Sequence, residues 1–251
     1  MCGRYASSRR PEDLIEEFDI PIRPDVPRLA PDYNVAPTDP VYAVVEREPK
    51  EEALSPERHL RVLHWGLVPS WSKDAKGAAR MINARVETVA EKPAYRRAFE
   101  RRRCIVPADG YYEWYPTQRA TKAGKPIKQP FFIRPEDGGV LAMAGLYEIW
   151  RDPTKTDDDP DRFRWTCTVI TTSATDDLGH IHDRMPMMVT PDARDEWLDP
   201  RNRSDLLGLL TPAAPGLLVA HPVSTAVGNV ANNSPSLTEP LELEGQLAME
   251  L

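Results

Sequence analysis

The sequence predicts one α+β domain with a largely antiparallel β-sheet core and helices at its periphery. Three observations carry this. Short apolar runs with strand-like alternation recur along the chain. The helical patterns are short and stand apart from them, and neither a regular strand–helix–strand alternation nor an internal repeat is present. The 26 prolines set against 13 glycines indicate many rigid loops and argue against a helical bundle.

The elements follow in order. PEDLIEEF (11–18) reads as a short helix: Pro11 suits the first helical position, acidic residues fill the first turn, and Leu14, Ile15 and Phe18 share a face. IPIRPDVPRLAPDYNVAPTDP (20–40) is proline-rich and reads as extended loop and turn. VYAVVER (41–47) and HLRVLHWG (59–66) read as strands, joined by the charged connection EPKEEALSPE. AYRRAFERRR (94–103) reads as a basic helix, and CIVPADGYYEWY (104–115) as two strands about a turn at Asp109-Gly110. PFFIRPEDGGVLAMAGLYEIW (130–150) reads as a hairpin around Asp137-Gly138-Gly139. RDPTKTDDDPDR (151–162) is a polar loop and RWTCTVITT (164–172) a strand. PDARDEWL and RSDLLGLL read as short helices, and LLVAHPV (217–223) as a last strand. The acidic segment 234–251 reads as a loose tail, which leaves 1–233 as the domain.

Composition excludes several function classes. No apolar run approaches a membrane span, and the first residues lack the apolar stretch of a signal peptide, so a soluble intracellular protein is expected. Three cysteines without metal-type spacing argue against a disulfide framework and against a metal site. There is no Gly-rich phosphate loop, so no cofactor is implied. The net charge of −7 counts against nucleic-acid binding by the whole surface but leaves room for a local basic groove.

Four stretches carry chemistry. In MCGRYA, Cys2 directly follows the initiator Met. On position alone it reads as a small buried hydrophobe. If Met1 is trimmed, however, the chain begins with a thiol and an α-amine on adjacent carbons, titrating near about 8.5 and about 7.7–8.0. Such a 1,2-aminothiol can serve as an N-terminal nucleophile, or condense with an aldehyde to an imine and then close to a thiazolidine. In MINARVETV (81–89), an extended backbone would aim Asn83, Arg85 and Glu87 at one face, or form a polar strand edge. In ADGYYEWY, Glu113 sits among aromatics, where a carboxyl tends to have a raised pKa and can act as acid or base; a solvated strand Glu is the plainer alternative. In GHIHDRMPMM (179–188), His180 and His182 alternate. No third metal ligand is evident at suitable spacing, which favours one acid/base histidine over a metal pair, with a solvated turn histidine as the plain alternative.

Together these stretches resemble the SRAP (SOS-response-associated peptidase) family. The resemblance is carried by MCGRYA, YNVAPT, WGLVPSW, MINARVET, CIVPADGYYEW, KQPFFI, IHDRMP and HPVSTAVGNV, in that order, from residue 2 to about residue 230. It implies a single SRAP-type domain that crosslinks abasic sites in single-stranded DNA. Cys2 would form the thiazolidine with the ring-opened sugar aldehyde after Met1 is removed. Asn83 would position the N-terminal residue, Glu113 would shuttle protons, and His182 would assist ring opening and stabilise the Schiff base. Arg4 and Arg85 would bind phosphates, with Arg184 a weaker candidate. Asn34, Pro37, Met81 and Thr171 would line the DNA path, and Trp71 would stack on a base. Some bacterial relatives carry two adjacent tryptophans where this chain has Trp71-Ser72, which leaves junction DNA open. A bacterial, cytoplasmic protein that associates with the nucleoid when on DNA is expected, and one continuous active site from one chain suggests a monomer. A wider basic rim could come from Arg96, Arg97, Arg101, Arg102 and Arg103 or from QRATKAGKPIKQ (118–129). Two other functions compete: a thiol autopeptidase, and a non-covalent binder of single-stranded or modified DNA. Strand cleavage beside the lesion stays open.

Overall fold

The computed structural model describes residues 2–21, 26–48, 55–174, 178 and 180–242. The strands among them are β1 (Tyr5–Ser7), β2 (Asp32–Val35), β3 (Pro40–Arg47), β4 (Glu57–Trp65), β5 (Asn83–Arg85) and β6 (Arg103–Ala108). They continue with β7 (Gly110–Ala120), β8 (Pro126–Pro135), β9 (Leu141–Arg151), β10 (Phe163–Ser173), β11 (Arg184–Pro186) and β12 (Leu218–Pro222). The α-helices are α1 (Pro11–Glu17), α2 (Arg96–Arg101) and α3 (Arg194–Leu198). The α+β reading holds.

The strands form two sheets. One is five-stranded in the order β12-β8-β7-β1-β2. The other runs β11-β10-β4-β3-β6-β9, and the additional β9–β10 pairing closes β10, β4, β3, β6 and β9 into a small barrel. Its pairings are antiparallel except β4–β10. Both faces of the barrel wall are buried, as alternate residues of β3 show. Val41, Ala43 and Val45 join Cys2, Tyr5, Tyr111 and Ile133. Tyr42 and Val44 join Leu14, Phe18, Phe99 and Trp197 from the helical layer. A strand covered on both sides reads as a near-continuous apolar run, which is why VYAVVER was legible. Helix α1 begins with Pro11 at its first position and buries Leu14, whose truncation to alanine would cost about 2–5 kcal/mol.

Several local expectations are corrected. The segment 20–40 is not all loop: Asp32–Val35 is β2, paired with β1. The two strands about Asp109 do not pair with each other. β6 belongs to the barrel and β7 to the other sheet, and the Asp109 carboxylate holds the crossing by accepting from Ser8 N at 2.6 Å and Arg9 Nε at 3.2 Å. Gly110 is needed there because a Cβ would lie 2.6 Å from the Ile133 carbonyl oxygen. The expected hairpin at 137–139 is likewise a change of sheet, since β8 pairs with β7 and β12 whereas β9 pairs with β6 and β10. The true hairpin is β7–β8, which takes most of 118–129 into strand. Residues 203–210 form turns rather than a helix, with Asp205 at φ 42°. The expected tail is anchored as far as it is described. Pro235–Thr238 forms a 3-10 turn, Leu237 is buried against Tyr112 and Phe132, and Leu241 N donates to Pro222 O at 2.8 Å.

The basic helix ends two residues early, and Arg103 becomes the first residue of β6. It is 1% exposed, so it is no rim cation. Its guanidinium donates to the carbonyls of Phe99, Glu100, Trp197, Asp199 and Asn202. Those of Phe99, Glu100 and Trp197 are among the carbonyls that the ends of α2 and α3 leave without helical partners, and those of Asp199 and Asn202 belong to the turn after α3. Arg102 is also committed, pairing with buried Glu148.

Candidate active site around the amino terminus

Cys2, Gly3 and Arg4 continue β1 toward the chain start and run beside β7, where Tyr112 N donates to Arg4 O at 2.9 Å. This lays Cys2 in the core that residues of both sheets share, with its side chain fully buried. Burial, with the Glu113 charge adding to it, pushes the thiol well above the ordinary thiol range. The ordinary thiol value of about 8.5 therefore does not describe Cys2 in this position, with Met1 attached. The resting group is a thiol, and a base must take its proton before it can act.

Asn83 opens β5, which lies parallel to β10 with Asn83 opposite Val169. Its Nδ2 donates to the Cys2 carbonyl at 2.7 Å, and Tyr95 Oη donates to its own carbonyl at 3.3 Å. Only Asn83 to Arg85 are strand; Val86–Thr88 turns into a 3-10 segment. Glu87 therefore leaves the shared face that alternation predicts. It binds Arg184 instead, at 2.5 Å from Nη1 and 3.1 Å from Nη2. Arg85 remains exposed.

Glu113 lies on β7 opposite Phe131 and is 3% exposed. Burial pushes its carboxyl up to about 7, so near neutral pH it is poised between acid and base. His182 Nε2 stands 3.8 Å from Glu113 Oε2. His180 and His182 are not on a strand, since β11 starts only at Arg184. The Arg184 backbone N–H donates to His182 Nδ1 at 3.0 Å, which assigns the neutral ring's proton to Nε2, facing Glu113. Asp183 Oδ1 is also 3.0 Å from Nδ1 but its side chain is 87% exposed, so water screens it. Burial prevails and lowers the imidazole below its ordinary value.

The flanking residues divide into exposed and enclosed. Trp71 is 69% exposed. Its loop opens at Gly66, where φ is 140° and a Cβ would lie 2.5 Å from the Ala78 carbonyl oxygen. Trp150 Nε1 pins the loop by donating to Ser72 O at 2.8 Å. Pro37 and Met81 are half-buried. Arg4 donates through Nη1 to Asn34 Oδ1 at 2.7 Å and Val227 O at 3.0 Å. Asn34 is 2% exposed and its Nδ2 donates to the Asn229 and Asn232 carbonyls. Buried Asn34 is therefore committed to Arg4 and to these two carbonyls. Thr171 is fully buried and its carbonyl accepts from Arg184 Nη2 at 2.6 Å.

Sequence reasoning missed two contributors. The 226–232 segment frames Arg4 and Asn34 through main-chain carbonyls, whose role no residue type announces. Lys128, exposed on β8, is close enough to lower both Glu113 and His182 after burial has acted on each. It was legible only as one lysine in a basic loop. His180 is exposed, with its ring edge-on to Tyr115 at 6.3 Å; Cys104 and Cys167 are free and buried. Among the described residues no three His, Cys, Asp or Glu side chains are arranged to hold a metal, and no helix is long and apolar enough to cross a membrane.

The chain matches the family described as SOS response associated peptidase (SRAP) over residues 1–230. It is 38% identical over 241 residues to abasic site processing protein YoaM of Bacillus subtilis, covering 95% of this chain and 98% of that one. It is 35% identical over 255 residues to abasic site processing protein YedK of Escherichia coli, covering 96% and 100%. It is 33% identical over 242 residues to abasic site processing protein HMCES of Gallus gallus, covering 86% and 68%. A solved protein from Bacteroides thetaiotaomicron shares the fold with a TM-score of 0.75 at 24% identity, over 96% of this chain and 100% of that one.

Proposed function

Because the chain belongs to the SOS response associated peptidase (SRAP) family, we propose that it recognises abasic sites in single-stranded DNA and traps them covalently through Cys2 once Met1 is removed. One observation carries the reading: Asn83 grips the Cys2 carbonyl beside a buried carboxyl with a pKa of about 7 and a neutral imidazole. That set fits an amine and a thiol adding in turn to an aldehyde carbon.

His182, with its proton on Nε2, assists opening of the sugar ring to the aldehyde. The α-amine of Cys2 attacks C1′ to give a carbinolamine. Protonated Glu113 gives its proton to the departing hydroxyl, water leaves, and an iminium forms. The Glu113 carboxylate then takes the thiol proton, and the sulfur adds to C1′ to close the thiazolidine. The net change converts aldehyde and aminothiol to thiazolidine and one water. His182 stabilises the Schiff base on the way. Arg4 and Arg85 hold phosphates, Asn34 orients Arg4, and Thr171 supports Arg184. Pro37 and Met81 flank the path, and Trp71 offers a base-stacking face. Arg96 and Arg97 are exposed at the start of α2, directly after Tyr95, whose hydroxyl donates to the Asn83 carbonyl, and would add basic charge on that side.

The test is a denaturing gel of purified protein mixed with a single-stranded oligonucleotide carrying one abasic site, with intact protein mass in parallel. A heat-stable shifted band from protein lacking Met1 is expected, lost in Cys2→Ala and in Cys2→Ser. No band from protein that lacks Met1 refutes the covalent reading. A Cys2→Ser band as durable as the parent's refutes the thiazolidine.

A further inference from the structure

The Glu87–Arg184 pair lies at the edge of the site and has no part in the chemistry above. The Glu87 carboxylate meets the Arg184 fork through both oxygens, at 2.5 and 3.1 Å. The same guanidinium also donates to Thr171 O at 2.6 Å, and its side chain is only 12% exposed. Arg184 therefore has its two terminal nitrogens engaged and its charge matched. Glu87 is differently placed, with its side chain 47% exposed and Arg85 two residues away along the chain. A carboxylate gripped in this two-pronged way is the closest side-chain imitation of a phosphate on arginine. Its exposure leaves it free to swing into water once displaced, whereas Arg184 is held in place by Thr171.

We propose that Glu87 is a specificity-determining residue, an internal stand-in for phosphate that occupies Arg184 until a DNA phosphate displaces it. The inference deepens the abasic-site reading and rests on it. A strand meeting only this edge must compete with Glu87 and is repelled by it. A strand also anchored at Arg4, Arg85 and Trp71 brings its phosphate to Arg184 at high effective concentration. Glu87 thus weakens passing contacts with intact single strands more than engagement at the lesion.

The experiment compares parent, Glu87→Gln and Glu91→Gln for affinity toward an undamaged single-stranded oligonucleotide across a salt series. Crosslinking to the abasic strand is measured alongside. Glu87→Gln keeps shape and one donor–acceptor contact but cannot neutralise Arg184. It is expected to tighten undamaged-strand binding about three- to tenfold and to steepen the salt slope by about 0.7, the value of one added phosphate on a single strand. The preference for abasic over undamaged strand falls, while crosslinking at saturating DNA keeps its rate. Unchanged or weaker binding by a variant with the parent's melting temperature overturns the proposal. So does equal tightening in Glu91→Gln, because loss of any nearby negative charge would then suffice. If the parent binds no single strand, the abasic-site reading itself fails, and this inference falls with it.

Discussion

Replacing Glu113 with glutamine is expected to stabilise the protein at alkaline pH while slowing its chemistry. The reason is the cost of ionising a carboxyl that is 3% exposed. Burial takes Glu113 from 4.5 to about 7, and at roughly 1.4 kcal/mol per tenfold that is about 3 kcal/mol. The sign follows from linkage. The folded state binds this proton more tightly than the unfolded chain, so the associated stability is fully present below about 4.5 and is lost as pH rises through about 7. The substituted amide has no such proton to lose. Between about pH 5 and pH 8.5 the parent should therefore lose roughly 2–3 kcal/mol relative to Glu113→Gln. A domain of this length shifts by about 2–4 °C per kcal/mol, so the gap in melting temperature should widen by roughly 4–12 °C. Paired melting curves at several pH values read it directly, because any fixed cost of burying the amide cancels in the comparison. Crosslinking by Glu113→Gln should slow by about 10²–10⁴-fold, the usual worth of a general acid–base group. A stability gap that stays constant from pH 5 to pH 8.5 would show that Glu113 is not held protonated, and the proton-shuttle reasoning would fall.

Three further outcomes are expected. Trp71→Ala should leave the melting temperature almost unchanged, since the ring is 69% exposed, yet weaken single-strand binding by about 1–3 kcal/mol; a titration showing parent affinity would remove the stacking role. Asn34→Ala should cost about 1–3 kcal/mol of stability, because it frees Arg4 and strips the Asn229 and Asn232 carbonyls of their donor. It should weaken DNA binding as well, and loss of stability at full affinity would show that Arg4 needs no orienting. Lys128→Ala should lower the salt slope of strand binding by about 0.7 without changing the melting temperature, and an unchanged slope would place Lys128 off the strand.

Local signals carried much of the architecture. Strands β3, β4 and β10 were readable because β-branched and aromatic residues alternate or run unbroken where a wall is covered on one or both faces. Helix α1 was readable from Pro11, its acidic first turn and its apolar face. Partner choice was not readable. Asp109-Gly110 and Asp137-Gly138-Gly139 have the composition of hairpin turns, yet each carries the chain from one sheet to the other. A turn's residues set its dihedral angles, not which strand awaits beyond it.

The sequence by itself determined the α+β class and the residue types offered to the candidate site, including a cysteine directly after Met1. Tertiary structure alone decided how those residues behave. It brought His182 within 3.8 Å of Glu113, buried that carboxyl until its pKa reached about 7, and kept the Cys2 thiol protonated. It also bound Asn34 to a carbonyl 195 residues away in the chain. Desolvation depends on what surrounds a group on every side, and where two sheets pack together most of those neighbours come from distant parts of the chain.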